Sequence, residues 1–319
     1  MKKTAAITMA LLLTATAFAQ DWTWAKKDAS GFVTVDATKV KGDVLTTGSS
    51  TVFPMAQLVI DQFKSEGYKS QLSIDNIGSG AGLKRFANNE VDFANSSSKI
   101  NADQKKAIVD GGVKGNLLEF KLAVDAVVIL VNSKNTFLKN VTLDQAKALF
   151  STATNYNEID PSYPAQKIVR MIPETSHGTF LYVAEKLYAK KSEALTGAPN
   201  TQRFQDYNQL IANVSKDPNA VGFIGMDYFE QATGANPVSL DGVAPSKASA
   251  LDGTYGLSRY LYTYTTDTIL QTKPAAAAWA AFFLNNASKA AQKVFFFPLP
   301  KADLDAQKKL LADTVKGKF

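Results

Sequence analysis

Cysteine is absent from the 319-residue sequence, and histidine occurs once, at His177. A chain without cysteine forms no disulfide and has no thiolate nucleophile or lipid-anchoring cysteine. Zinc sites are built mainly from cysteine, histidine and carboxylate ligands, so a single histidine argues against a zinc site. We therefore predict a protein without a metal or a cofactor.

Long hydrophobic runs are also scarce, and the one at the N-terminus is short. Two lysines precede an apolar run, and the triplet "AFA" (17–19) stands before Gln20. A basic start, a short apolar region and a small-x-small site are typical of a secretory signal peptide. The run is too short to span a bilayer. We expect residues 1–19 to be removed, leaving a soluble protein exported to the periplasm or cell envelope.

Like charges never gather into a block of five, although the net charge at pH 7 is +6. Nucleic-acid-binding segments usually concentrate their basic residues, so this diffuse charge argues against a nucleic-acid partner. Mild basicity does suit a small anionic ligand. The sequence also has no internal repeat and no low-complexity tract, and we expect a monomer.

Short β-rich runs alternate with helical patterns along most of the chain, which predicts an α/β fold with a mostly parallel sheet, large enough for two domains. The apolar stretch 117–132 is interpreted as two strand segments that meet near Asp125, a carboxylate that should be hydrogen-bonded or exposed at a bend. The predicted strands are 44–47, 71–76, 91–94, 167–172, 221–225 and 255–265. The predicted helices are 54–65, 82–89, 101–109, 142–150, 178–190, 203–214, 274–293 and 302–315.

Glycine and small hydroxyl residues dominate loops that follow four predicted strands: "GSST" (48–51), "GSGAG" (78–82), "NSSS" (95–98) and "TSHGT" (175–179). Ligands of open α/β sheets bind beyond the carboxyl ends of the strands. Helix N-termini there present unpaired N–H groups and a positive dipole end. Together the loops predict a site for a small tetrahedral oxyanion.

Each loop taken alone also has an ordinary interpretation. Ser and Thr before a helix are frequent caps, and "NSSS" is typical of a solvated turn. "GSGAG" lacks the Lys-Ser/Thr ending of a nucleotide P-loop, so we reject ATP binding. Ser176 beside His177 suggests nucleophilic catalysis, but no partner acid is evident and we predict no enzyme.

In their order along the chain, these loops resemble those of the periplasmic phosphate-binding proteins of high-affinity phosphate ABC importers, which are type II periplasmic binding proteins. The matching segments include "GSSTVFP", "IGSGAGLKRF", "VDFANSSSKI", "ETSHGTF", "DAVVILVNSKN", "VTLDQAKALFS", "VGFIG", "YGLSRYLYTYT" and "FFFPLP". The resemblance covers nearly the whole mature chain but excludes an N-terminal extension, residues 20–42.

The resemblance implies two doubly wound α/β domains joined by two crossover strands, near Asp125 and near residues 255–259. Domain I would comprise 43–126 plus 257–319, domain II 127–256, and phosphate would bind in the cleft for delivery to the membrane permease. Transferred by position, the ligand-binding residues are Ser49, Ser50, Thr51, Ser79, Gly80, Ser97, Ser98, Ser176, His177, Gly178 and Thr179.

Two departures from the family pattern leave alternatives open. The third loop has only Asn95 and serines where the family often has a carboxylate that rejects sulfate, so a sulfate, molybdate or tungstate carrier is the alternative, and an exported phosphatase a weaker one. Pro173 stands where the family commonly has an arginine. Lys99, Arg170 or His177 could supply the positive charge, or helix dipoles and neutral donors could suffice.

Overall fold

The computed structural model describes residues 21–229 and 232–318, so the predicted signal peptide, residues 1–19, lies outside the described residues. The strands are β1 (Ala25–Lys27), β2 (Val33–Val35), β3 (Val44–Gly48), β4 (Leu72–Asn76), β5 (Phe93–Ser96), β6 (Leu117–Asn132), β7 (Asn140–Val141), β8 (Val169–Pro173), β9 (Thr201–Phe204), β10 (Ala220–Gly225), β11 (Ala235–Leu240), β12 (Ser258–Thr266) and β13 (Phe297–Pro298).

The helices alternate with these strands, as the sequence predicts. They are α1 (Phe53–Ser65), α2 (Ser79–Ala87), α3 (Ala102–Asp110), α4 (Leu143–Leu149), α5 (Gly178–Tyr188), α6 (Glu193–Thr196), α7 (Tyr207–Lys216), α8 (Met226–Phe229), α9 (Lys247–Leu251), α10 (Asp267–Thr272), α11 (Pro274–Lys293) and α12 (Lys301–Thr314). In the described parts of the chain, no helix is long and apolar enough to cross a bilayer.

The main sheet has the strand order β4-β3-β5-β12-β6-β10-β8-β9. Strand β3 is parallel to both β4 and β5, and β8 is parallel to both β9 and β10. The α/β prediction is confirmed. The prediction of a mostly parallel sheet is wrong at the centre, where β6 is antiparallel to β12 and β10. There β6 leads the chain out of the first half of the sheet and β12 returns it, so the two run in opposite directions.

Strand β6 is a single element of 16 residues, so the prediction of two segments meeting near Asp125 is wrong. Every residue from Leu122 to Asn132 is buried, which suits an apolar strand covered on both faces. The partner does change along β6: it pairs with β12 up to Ala126 and with β10 from Val127. The division into two domains at this boundary stays a prediction.

Asp125 is buried and hydrogen-bonded rather than exposed at a bend. Its Oδ2 accepts a hydrogen bond from Arg259 Nε at 3.3 Å, and the two residues are direct neighbours in the β6–β12 register. The lone carboxylate therefore has a charged partner on the adjacent strand, as the cost of burying an unpaired charge requires.

Several helix boundaries follow from capping signals in the sequence. Asn101 with Gln104 and Thr142 with Gln145 form the predicted capping boxes. The prediction of a helix at 203–214 is wrong at its start, because residues 201–204 form β9 and the helix begins at Tyr207. Asp206 caps that helix by accepting a hydrogen bond from Gln209 N, so the cap rather than the apolar pattern sets the boundary.

The extension before β3 docks on the body of the protein. Strands β1 and β2 form an antiparallel hairpin, and Trp24 is fully buried with its ring centroid 5.5 Å from that of Trp22. Asn285 on α11 donates a hydrogen bond to the carbonyl of Val33 at 2.9 Å. The hairpin therefore covers α11 and adds apolar surface to the main core.

Candidate anion-binding site

The first three hydroxyl-rich loops meet at one edge of the sheet. The last residue of β3, Gly48, is in register with Asn76 at the end of β4 and with Asn95 on β5. Because these strands are parallel, their carboxyl ends point the same way and the loops that follow them are neighbours. Four loops are predicted to form one site, and the structure brings these three of them together.

Two glycines allow the first three loops to approach one another closely. Gly48 has φ +127°, and a Cβ on it would lie 2.2 Å from the carbonyl oxygen of Asn95. A Cβ on Gly82 of α2 would lie 2.5 Å from the Cα of Gly48. Distances this short cannot be accommodated without moving backbone, so glycine is required at both positions.

A cavity of about 100 Å³ lies where these loops meet α5 and the turn after it. Within the cavity wall, Ser79 and Ser97 have their hydroxyl oxygens 3.2 Å apart, and the Ser97 amide donates to Ser79 Oγ. Hydroxyl groups from separate loops therefore converge on one small space. The cavity is lined by Ser49, Ser50, Thr51, Gly78, Ser79 and Ser97 on one side and by Leu181, Ala184, Glu185, Lys190 and Ser192 on the other.

The first loop both stabilises the turn before α1 and lines the cavity. Ser49 is buried, and its Oγ accepts hydrogen bonds from the amides of Thr51 and Val52 at 3.2 and 3.3 Å. It therefore stabilises the turn that leads into α1. Ser50 is half-buried and reaches both the cavity and an adjoining open groove of about 650 Å³.

Two predicted ligand residues of the first three loops do not line this cavity. Gly80 is exposed in the first turn of α2. Ser98 is also exposed, and its amide donates to Ser96 Oγ at 3.3 Å. Their contacts with a ligand stay predictions.

The fourth loop lies beside the cavity rather than in its wall. Ser176, His177, Gly178 and Thr179 line a separate space of about 180 Å³ next to Tyr207. The Tyr207 hydroxyl donates to Thr179 Oγ1 at 2.7 Å, and Ser176 faces the open groove that Ser50 also lines. The side of α5, and not its N-terminus, thus meets the first three loops, and the ligand contacts of the fourth loop stay predictions.

Lys99, Arg170 and His177, the cations considered from the sequence, do not line the cavity. Arg170 is fully buried and donates to the backbone carbonyls of Leu149, Pro199 and Ala153. Lys99 is exposed and lies 3.5 Å from Glu119. Burial lowers the pKa of His177, and its Nε2 lies 2.9 Å from the Gln205 carbonyl, so a neutral imidazole suits this position.

Arg259 on β12 is the cation that reasoning from the sequence missed. Its Nη2 donates to Thr51 Oγ1 at 2.8 Å and its Nη1 lies 2.9 Å from Glu185 Oε2, and both partners line the cavity. Its guanidinium carbon lies 3.8 Å from the centroid of the Tyr182 ring, a cation–π geometry. The signal was present in "YGLSRYLYTYT", where an arginine stands alone in a strand opposite the equally isolated Asp125.

Lys190 is a second cation at the cavity wall. Ala189 and Lys190 have φ values of +50° and +71°, so the chain reverses direction directly after α5. The reversal places Lys190 Nζ 3.7 Å from the position that a Cβ would take on Gly78. Lys190 therefore faces the second loop from the opposite side of the cavity.

Two carboxylates offset part of this positive charge. Glu185 pairs with Arg259 at the cavity, and Asp125 pairs with the same guanidinium on its buried side. Burial raises the pKa of Asp125 to about 6, and the neighbouring Arg259 opposes that rise. Charged and hydroxyl donors around a small, partly enclosed space can bind an oxyanion. In the described ranges, no cluster of three or more His, Asp or Glu side chains could hold a metal ion.

Comparison with known proteins identifies the family of the chain. A model of the PBP superfamily domain matches residues 34–287. The chain is 30% identical to the phosphate-binding protein PstS of Staphylococcus saprophyticus over 287 residues, 88% of either chain. It is 31% identical to the protein SphX of Synechococcus elongatus over 285 residues, 85% of this chain and 82% of that one.

A solved structure is similar over most of the chain. The crystal structure of a possible phosphate binding protein from Planctomyces limnophilus superposes with a TM-score of 0.81 at 26% identity. It covers 87% of this chain and 100% of its own. The resemblance seen in the loop motifs is thereby confirmed at the level of the family and the fold.

Proposed function

Because the chain belongs to the PBP superfamily, we propose that it is an exported receptor that binds inorganic phosphate and delivers it to the permease of an ABC importer. The observation that carries the proposal is the convergence of Thr51, Ser79 and Ser97 on one cavity beside Arg259. The similarity to the Staphylococcus saprophyticus relative, which is named a phosphate-binding protein, supports the choice of phosphate.

The chemistry of the cavity suits a small dianion that must leave water. Burying such an ion is costly unless each of its oxygens is hydrogen-bonded. Hydroxyl groups of Ser50, Thr51, Ser79 and Ser97 can donate to the oxygens, while Arg259 and Lys190 supply charge. A space of about 100 Å³ leaves room for one such ion between these donors.

The fourth loop joins the site in this proposal when the protein closes on its ligand. Closure would turn the half formed by residues 127–256 toward the half formed by 43–126 and 257–319, with β6 and β12 as the hinges. The change of strand partners at Ala126 and Val127 supports this boundary. Such a turn would bring the amides of Gly178 and Thr179 at the start of α5 to the anion, where the helix dipole favours negative charge.

The central test is a calorimetric titration of phosphate-stripped protein with inorganic phosphate. We expect one ligand per chain and a dissociation constant well below about 1 mM. A parallel titration with sulfate, molybdate and tungstate addresses the alternative oxyanion carriers. Absence of phosphate binding, or tighter binding of one of the other anions, would reject the proposal.

An enzymatic role is not part of the proposal. The space that holds Ser176 and His177 is separate from the hydroxyl-lined cavity, and His177 Nε2 is engaged by the Gln205 carbonyl. A general base must lie within hydrogen-bond reach of its nucleophile, which these contacts do not provide. Hydrolysis of a chromogenic phosphomonoester by the purified protein, abolished by His177→Ala, would contradict this part.

The proposal also includes export, a monomeric state and no nucleic-acid partner. The basic start and short apolar run of residues 1–19 support export, and the absence of a dense basic block argues against nucleic acid. Mass spectrometry of the secreted protein should find Gln20 as the first residue. Light scattering should give the mass of one chain.

A further inference from the structure

Glu185 brings a carboxylate into the cavity from the side opposite the third loop. It lies on α5 with Leu181 and Ala184, at spacings that place all three on the face that lines the cavity. Its Oε2 accepts from Arg259 Nη1 at 2.9 Å and lies 3.5 Å from Ser97 Oγ. Ser97 belongs to the loop that lacks the carboxylate expected from the family pattern.

Arg259 holds this carboxylate in place. The guanidinium lies over the Tyr182 ring and its Nε donates to the buried Asp125, so it has little freedom to move. Both contacts found for Glu185 in the described part of the chain involve Oε2. Its Oε1 is therefore available to a ligand that enters the cavity.

A carboxylate at this point distinguishes between oxyanions of equal shape. Hydrogen phosphate carries an O–H that can donate to a carboxylate oxygen, forming a charge-assisted hydrogen bond. Sulfate carries no proton at neutral pH, so the same carboxylate repels it and leaves an acceptor facing an acceptor. Serine hydroxyls alone do not discriminate in this way, because each can either donate or accept.

We propose that Glu185 selects protonated tetrahedral oxyanions, phosphate and arsenate, and excludes unprotonated ones such as sulfate. This inference rests on the proposed function, since it concerns the choice among anions at the same cavity. It adds a selectivity residue on α5 to a site whose third loop has none.

The test compares calorimetric affinities of the wild type and of Glu185→Gln for phosphate, arsenate and sulfate at pH 7.5. Glutamine keeps the size of the side chain and an oxygen that can accept from Arg259, but it also donates. We expect the ratio of phosphate to sulfate affinity to fall about 10- to 100-fold, the equivalent of one hydrogen bond to a charged group. The fall in this ratio should come mainly from tighter sulfate binding.

Two further variants control the comparison. Glu193→Gln makes the same change of charge at an exposed position of α6, outside the cavity wall, and should leave the ratio unchanged. Glu185→Asp keeps the negative charge and should still reject sulfate.

Three results would overturn the inference, and each has a different meaning. An unchanged ratio in Glu185→Gln would show that the carboxylate plays no part in selection. An equal increase in the affinities for phosphate and sulfate would show that Glu185 only competes with the ligand for Arg259. If the wild type binds no phosphate at all, the proposed function fails first, and the selectivity argument fails with it.

Discussion

Arg170 on β8 and Arg259 on β12 are carried by the same sheet and are both withdrawn from solvent, but their surroundings differ in kind. Arg170 is fully buried and donates to three backbone carbonyls. The Arg259 side chain is 12% exposed and contacts two carboxylates and the hydroxyl of Thr51 at the edge of a cavity.

This difference shows why a buried cation is not by itself a ligand-binding residue. The donors of Arg170 hold together the segments around Leu149, Ala153 and Pro199, so its charge is used for structure. Arg259 joins Thr51 on one side of the cavity to Glu185 on the other. Its partners can exchange with an incoming anion, because both lie in the cavity wall.

The largest expected effect is on stability, from Arg170→Met. The substitution leaves three carbonyl groups without their donor, and each unsatisfied buried group costs about 1–3 kcal/mol. We expect the free energy of unfolding to fall by at least about 3 kcal/mol in urea denaturation, while the folded protein binds phosphate with unchanged affinity. A loss of phosphate affinity in folded Arg170→Met would contradict the purely structural role of Arg170.

The second largest effect is on binding, from Arg259→Gln. Removing one partner of a buried, hydrogen-bonded charge pair costs about 2–5 kcal/mol, so phosphate affinity should fall roughly 100-fold. Arg203→Gln is the matched control, because Arg203 on β9 lies 3.8 Å from Glu174, a residue outside the cavity wall. Equal phosphate affinities for the two variants in calorimetry would show that Arg259 takes no part in binding.

The third prediction concerns pH, because Arg259 and not Arg170 has a carboxylate partner. Burial raises the pKa of Asp125 from 3.8 to about 6. A carboxyl group whose pKa is raised by folding stabilises the protein below its unfolded pKa, and this contribution is lost as pH rises through the folded value. The stability of Asp125→Asn relative to wild type should therefore increase between pH 4 and pH 7, by on the order of 2 kcal/mol.

Urea denaturation at several pH values in that range would measure the effect. Asp110→Asn, a change at an exposed helix position, provides the baseline. A pH-independent difference in the free energy of unfolding between Asp125→Asn and wild type would mean that burial does not raise the pKa of this carboxyl group.

The smallest effects concern the neutral donors beside Arg259. Ser79→Ala removes a hydroxyl that lies 3.2 Å from Ser97 Oγ in the cavity wall. Phosphate affinity should fall about 5- to 10-fold, the net value of roughly one hydrogen bond. Ser133→Ala changes an exposed residue that follows β6, outside that wall, and should leave affinity unchanged within about twofold. Equal losses would show that the cavity does not mark the binding surface.

Local features of the fold were predictable because neighbouring residues determine them. Helix α11 was predicted at its observed bounds, since Pro274 starts it and its apolar pattern is continuous. Asn101 and Thr142 cap helices through contacts three residues away. In contrast, the continuity of β6 depends on pairing with strands that are distant in sequence. The isolated Asp125 suggested a break in the strand, but its pairing with Arg259 makes a break unnecessary.

The sequence by itself determined the family, the α/β alternation and the three neighbouring hydroxyl-rich loops, because glycine, serine and parallel strands act over short distances along the chain. Only the tertiary structure decided which charges surround the cavity. Arg259 and Thr51 are 208 positions apart, and Glu185 joins them through the face of a helix whose N-terminus had been the predicted contact. Strand register and helix orientation set such contacts, and neither can be derived from the residues of one loop.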